Sequence, residues 1–145
     1  MGTWDIGPFD NDMAADFAGT LDETPHDQRV GVVRSALMQA VQAQDYLEGA
    51  EGDEAVAAAA LVAAQCPGGE PVCTSYGPDE PVPTLPDDLR SLAVAALDRV
   101  VAENSELAEL WDDTAHGPAW RDSVRRLRAV LDPEPERLEE PLFEV

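Results

Sequence analysis

Between Asp53 and Gln65 the chain is almost unbroken alanine, valine and leucine. A helix of that sequence is apolar on nearly every side, so it has no face to give to water and has to be enclosed by other helices. This one segment makes the expected architecture a bundle around a small-residue rod. The alanines let neighbouring backbones come close, and a leucine at Ala58 or Ala59 is expected to overpack the interior.

The remaining segments supply the enclosure. Phe9, Met13 and Phe17 recur every four residues in a helix expected from Asp10 or Asn11 to about Thr20, with Phe9 folding back ahead of the cap. Thr24 and Pro25 read as the cap and first position of a second helix carrying Val30, Val33, Leu37, Ala40, Val41 and Gln44 at helical spacing. Gly31 within it suggests close packing against a neighbour. The run from Asp45 to Glu54, with five acids, two glycines and no cation, reads as a solvated turn in which Asp53 caps the rod.

From Pro86 onward, Leu89, Leu92, Ala93, Ala96, Leu97, Val100 and Val101 form an unbroken inward stripe. Asn104 and Ser105 interrupt it, and Ser105 is placed to cap a short helix carrying Leu107, Leu110 and Trp111. After His116, Gly117 and Pro118, a last long helix carries Trp120, Val124, Leu127 and Leu131. The spacing of Trp111, Trp120 and Tyr46 with neighbouring leucines and Val124 points to core packing. The pattern predicts an all-α fold: a single compact bundle of about six helices, with a long Pro/Gly-rich loop around residues 66–86 strapped across its outside. The helical domain is expected over 1–132, and residues 133–145 form an acidic Pro/Glu-rich tail.

The formal charge is −21, from 30 acids against 9 basic residues, every one of them arginine. With 44% hydrophobic residues the chain still has enough apolar surface to fold, so the charge is not a sign of disorder. Such a charge repels phosphate backbones and anionic lipid, which disfavours nucleic acid and membranes as direct partners, and it attracts basic protein surfaces. No stretch approaches the roughly 18 apolar residues of a membrane span, and the N-terminus lacks a basic region followed by an apolar run, so a cytoplasmic location is expected. Cys66 and Cys73 flank a Pro/Gly-rich stretch and could bridge locally; in the cytoplasm the reduced form is the default. Alanine, valine, acid and arginine abundance without lysine suggests a GC-rich bacterial source.

Few constellations carry chemistry. Trp4, Asp5, Gly7 and Pro8 build a turn that runs into Asp10, Asn11 and Asp12, whose oxygens can cap a helix, hold a cation or face a partner. With Asp16, the candidate ligands Asp10 and Asp12 are hard oxygen donors suited to Ca²⁺ or Mg²⁺, although the spacing is not that of an EF-hand. His26 and His116 each stand beside a helix start and, with Asp16, are the candidate acid–base groups. No P-loop, dinucleotide fingerprint or HExxH motif is present, and no cofactor is expected. Arg121, Arg125 and Arg128 form a basic stripe most simply paired with nearby acids among Glu106, Glu109, Asp112 and Asp113.

The opening from Trp4 to Phe17, together with Tyr46, Leu47 and Glu48, the alanine-rich helix from Ala55, and the run from Asn104 to Trp111, resembles a small bacterial family, domain of unknown function 4259. The likeness extends to about Leu131, and Phe17 stands where that family characteristically has Trp. The resemblance implies a compact helical domain and brings no activity with it. From the residues themselves, the first functional expectation is an acidic protein-binding module: an inhibitor, immunity-type or nucleic-acid-mimic protein. Its binding residues would be Trp4, Asp5, Asp10, Asn11, Asp12, Glu48 and Glu51, within acidic loops at 45–54 and 79–88. The alternatives are a small enzyme or metal-dependent accessory protein with its site at the N-terminal Asp/Asn turn, for example in specialised metabolism, and a self-associating helical domain.

Overall fold

A computed structural model describes residues 12–43, 45–65, 85–86 and 88–132, with the side chains from Ala15 onward. These residues form six α-helices and no strand, an all-α bundle. In chain order they are α1 (Asp12–Glu23), α2 (Arg29–Gln42) after a 3₁₀ turn at His26–Gln28, α3 (Gly49–Ala64), α4 (Asp88–Val100), α5 (Glu106–Asp112) and α6 (Gly117–Leu131). Trp4, Asp5, Asp10, Asn11, Gln44, both cysteines, residues 66–84 and the tail 133–145 lie outside the described residues.

The axle is α3. It packs against all five other helices, and every residue from Ala55 to Ala63 is buried. The small side chains permit this, because only alanine-sized surfaces allow one helix to be approached from so many directions at close-packed density. Around it, α2 and α4 pack on each other, and α6 packs on both α4 and α5. The α4 stripe falls as its spacing requires, with Leu89, Ala93, Ala96, Leu97 and Val100 buried. Trp111 and Trp120 meet in the interior with ring centroids 6.0 Å apart and planes 7° from parallel. At the C-terminal end of α3, the Gln65 side-chain oxygen accepts a bond from the Leu85 N–H (2.8 Å).

Helix ends are where the sequence reading needs correction. The first helix runs to Glu23, three residues beyond Thr20, and Thr24 does not cap the second. Its hydroxyl donates back to the Thr20 carbonyl (2.6 Å), while its own carbonyl accepts from the Nε of buried Arg29 (2.9 Å). With the hydroxyl committed to α1, the chain passes through an uncapped 3₁₀ turn before α2 begins at Arg29. Gly31 is exposed with open space where a Cβ would stand, so close packing is not its role. Gly52 has that role instead: a Cβ there would lie 3.2 Å from Leu107 Cβ and Cδ2.

The rod also starts a full turn earlier than expected, at Gly49, and Asp53 lies inside it as no cap. Capping comes from another helix: the Gly49 N–H donates to Glu106 Oε1 of α5 (2.7 Å), an acid at the positive end of the α3 dipole. Ser105 does cap α5, its hydroxyl accepting from the Ala108 N–H (3.4 Å).

Arginine replaces lysine throughout, and several guanidinium groups serve backbone carbonyls at helix ends. Arg90 donates twice to the Leu131 carbonyl that closes α6 (3.2 and 3.0 Å), and Arg121 donates to Val101 (3.2 Å). Arg99 reaches the carbonyls of Ala43, Glu103 and Asn104 (3.3, 3.2 and 3.3 Å), tying the end of α2 to the connection after α4. A planar fork of five donors suits this work better than a single ammonium.

Candidate functional site

Two of the sequence runs that carry the family resemblance lie far apart in the chain and meet in space. The Leu47 N–H donates to the Asn104 carbonyl and the Glu106 N–H to the Leu47 carbonyl, both at 2.8 Å, a short parallel bridge between Leu47 and Ser105. Asn104 makes it possible by adopting a left-handed φ of 64°, a conformation asparagine tolerates better than most residues. Leu47 and Ser105 are fully buried, and Tyr46 beside them turns outward, its hydroxyl donating to Glu109 Oε1 (2.8 Å). That bond to a carboxylate pushes the phenol pKa up to about 12. Tyr46 is 44% exposed, which corrects the expectation that it is a core residue.

This clamp fixes α5 against the first turns of α3 and leaves a cleft of about 420 Å³ between them. Its α3 side is Gly49, Ala50 and Asp53; its α5 side is Glu106, Leu107, Leu110 and Trp111, with Thr114 at the end. Leu107, Ala108 and Trp111 turn into the core, so Glu106, Glu109, Leu110 and Asp113, at helical spacing, face outward. Leu110 is 55% exposed, not inward as its apolar character suggested.

Asp53 is the chemically unusual group. It is half-buried, and among the described residues its carboxylate has no hydrogen-bond or ion-pair partner. Desolvation, reinforced by the charge of Glu54, pushes its pKa up to about 7. Glu54 is raised as well, by desolvation and by the charges of Glu51 and Asp16. The sequence reading of Asp53 as a helix cap missed this, because α3 begins at Gly49 and puts Asp53 one turn inside it.

The other candidates are spread around the bundle. Asp16 is exposed on α1 and lines a separate groove of about 570 Å³ with Glu23, Gln28, Gln39 and Glu54. His26 is exposed in the 3₁₀ turn and His116 is exposed just before α6; neither lines this groove or the α3–α5 cleft. Glu48 is exposed and Glu51 half-buried at the start of α3, near the clamp. Asp12 opens α1, while Trp4, Asp5, Asp10 and Asn11, and with them the N-terminal turn, lie outside the described residues. Among the described residues no three His, Cys, Asp or Glu side chains are grouped to hold a metal. In the second acidic loop, Asp88 is engaged by Arg34 (2.7 Å), which holds its carboxyl below the usual range.

The basic stripe pairs with acids as the sequence suggested, although not always with those named. Arg121 bonds both oxygens of Asp112 (2.9 and 2.8 Å) and has its guanidinium 6.0 Å from the Trp120 ring. Arg128 forks onto Asp98 (2.7 and 3.2 Å), and Arg125 pairs with Asp122.

No curated protein and no solved structure matches this chain. A family model described as "Domain of unknown function (DUF4259)" matches residues 2–123, a span that includes α1 through α5, the Leu47–Ser105 clamp and the start of α6, and the chain belongs to that family.

Proposed function

We propose that this domain is a protein-binding module whose α3–α5 end engages a basic surface on another protein, in the manner of an inhibitor, immunity-type protein or nucleic-acid mimic. One observation carries the reading. Exposed Leu110 and Tyr46 sit among Asp45, Glu48, Glu106, Glu109 and Asp113, and none of those acids is ion-paired among the described residues. An apolar and aromatic centre ringed by uncompensated charge suits a partner with the opposite potential: the charge steers encounter, and the desolvated centre supplies most of the affinity. We place the encounter in a bacterium on the composition of the chain, rich in alanine, valine, acids and arginine and without lysine. Among the described residues no helix is long and apolar enough to cross a membrane.

The test is affinity capture at physiological salt with three proteins: the wild type, Leu110→Asp combined with Glu109→Lys, and Asp132→Lys at the end of α6 as a charge control. The reading expects a basic protein that is retained by the wild type and the control and lost by the double variant. Equal retention by all three would remove the α3–α5 end as the binding surface.

A further inference from the structure

We infer that the α3–α5 cleft is a receptor for one arginine side chain of the basic partner, its guanidinium held between Asp53 and Glu106 and its methylene stem lying along Leu107 and Leu110. The inference rests on the reading of this end as a partner-binding face and adds to it a particular pocket and a particular side chain.

The cleft, at about 420 Å³, is of the size that small ligands fill, and it is mixed in the way a long basic side chain requires. One part of its wall is apolar, from Ala50, Leu107, Leu110 and Trp111, and carboxylates stand on both helices. Among the described residues no basic one lines it. Glu106 uses Oε1 to cap α3, which orients the carboxylate and leaves Oε2 for a second donor. Asp53 has lost part of its hydration without gaining a donor among the described residues, a cost that a bound cation would offset. The two groups therefore differ in role: Glu106 is fixed by the fold, and Asp53 awaits a partner.

Arginine fits better than lysine because two carboxylates on different helices can be bridged by a planar fork of donors, whereas a compact, strongly hydrated ammonium satisfies one at a time. The clamp keeps the geometry in place, since the Leu47–Ser105 bridge and the close contact of Gly52 with Leu107 fix the separation of α3 and α5 before anything binds.

The experiment uses the full chain, uniformly ¹⁵N-labelled, titrated with acetyl-Ala-Arg-Ala-amide, with its citrulline analogue, which keeps the shape and removes the charge, with the lysine analogue and with agmatine. The arginine peptide is expected to shift the amides of Ala50, Asp53, Leu110 and Thr114, to bind at least tenfold more tightly than the citrulline peptide and several-fold more tightly than the lysine peptide, and to lose tenfold or more in Asp53→Asn. Because Asp53→Asn removes a charge with no partner among the described residues, the variant is expected to fold, and its amide spectrum checks that directly.

Equal binding of arginine and citrulline, or unchanged affinity in Asp53→Asn, would overturn the inference. Agmatine binding tenfold more tightly than the peptide would overturn it too, by assigning the cleft to a free small cation. If the partner captured by the wild type is lost by the Leu110/Glu109 variant but kept by Asp53→Asn, the face survives and the pocket does not; if the Leu110/Glu109 variant also keeps it, both fail.

Discussion

The two sides of this bundle treat charge in opposite ways. Where α4 meets α2 and α6, and where α5 meets α6, acids are matched with arginines: Asp88 with Arg34, Asp98 with Arg128, Asp112 with Arg121, and Asp122 with Arg125 within α6. At the junction of α3 with α5, Asp53, Glu106 and Glu109 have no ion-paired arginine among the described residues, although arginines elsewhere are spent on backbone carbonyls. A chain that carries 30 acids and 9 arginines cannot neutralise everything. The difference between the sides is therefore a matter of placement, and it leaves the unbalanced side beside the exposed Leu110 and Tyr46. Solubility alone would be served by charge spread evenly over the surface.

Both sides hang on the same axle, so the comparison can first be broken at its support. Ala58→Leu, at a position with no exposed surface, should cost roughly 1 to 3 kcal/mol by overpacking α3 against its neighbours. Urea unfolding would show it as a lower midpoint at unchanged m-value; a midpoint equal to the wild type would mean that α3 is not enclosed.

The next effect separates the sides by pH. Among the described residues Glu54, on the same helix, adds its charge to the desolvation of Asp53, and the other carboxylate lining the cleft is Glu106, so no described group there opposes a raised pKa. Its folded value of about 7 lies above the ordinary 3.8. Well below 3.8, at about pH 3 and lower, the carboxyl is protonated in both states and costs nothing. Between there and about 7 the unfolded chain releases the proton while the folded one retains it, so stability falls as pH rises. Asp53→Asn should thus stabilise the protein by on the order of 1 to 2 kcal/mol at pH 8, after allowing for solvent screening, and by close to nothing at about pH 3. Thermal melts at the two pH values measure this, and a uniform or reversed effect would contradict it.

Removing Glu106, the acid that caps α3, should act in the other direction. Glu106→Ala is expected to cost about 1 kcal/mol by uncapping α3, and Glu106→Gln, which keeps an acceptor, should cost less. The smallest effect belongs to the matched side, where Arg128→Ala breaks an exposed pair with Asp98 and should cost below about 1 kcal/mol, fading as salt is added. Chemical denaturation in low and high salt distinguishes the two variants, because capping is the less screened interaction.

The fold was largely legible from periodicity. The alanine run identified its own central position, the Leu89 to Val100 stripe named the inward face of α4, and Ser105 announced the start of α5. What stayed hidden was set by other parts of the chain. The Gly49–Glu106 cap spans 57 residues, and no local pattern signals that an acid will be borrowed from another helix. The same borrowed cap moves the start of α3 back a turn, and with it Asp53 changes from an expected cap into a half-buried acid facing a cleft. Leu110 was misplaced for a related reason: apolar spacing reports which residues share a face, and α5 is too short for spacing alone to choose between the face that packs and the face that does not; Tyr46 lies in the connection before α3, where no helical face exists for spacing to report. Gly31 and Gly52 show the same limit, since only the neighbour at each position decides whether a glycine is needed.

The account turns on Asp53 being an acid whose hydration is reduced and for which no counterion stands among the described residues. A carboxyl-carbon NMR titration of Asp53 in the intact protein measures this most directly. The expected midpoint is about 7 in the free protein, moving down by a unit or more when the arginine peptide is present. A midpoint near 4 that the peptide does not move would show that Asp53 is an ordinary solvated acid and that the α3–α5 end is no more a receptor than the rest of the surface.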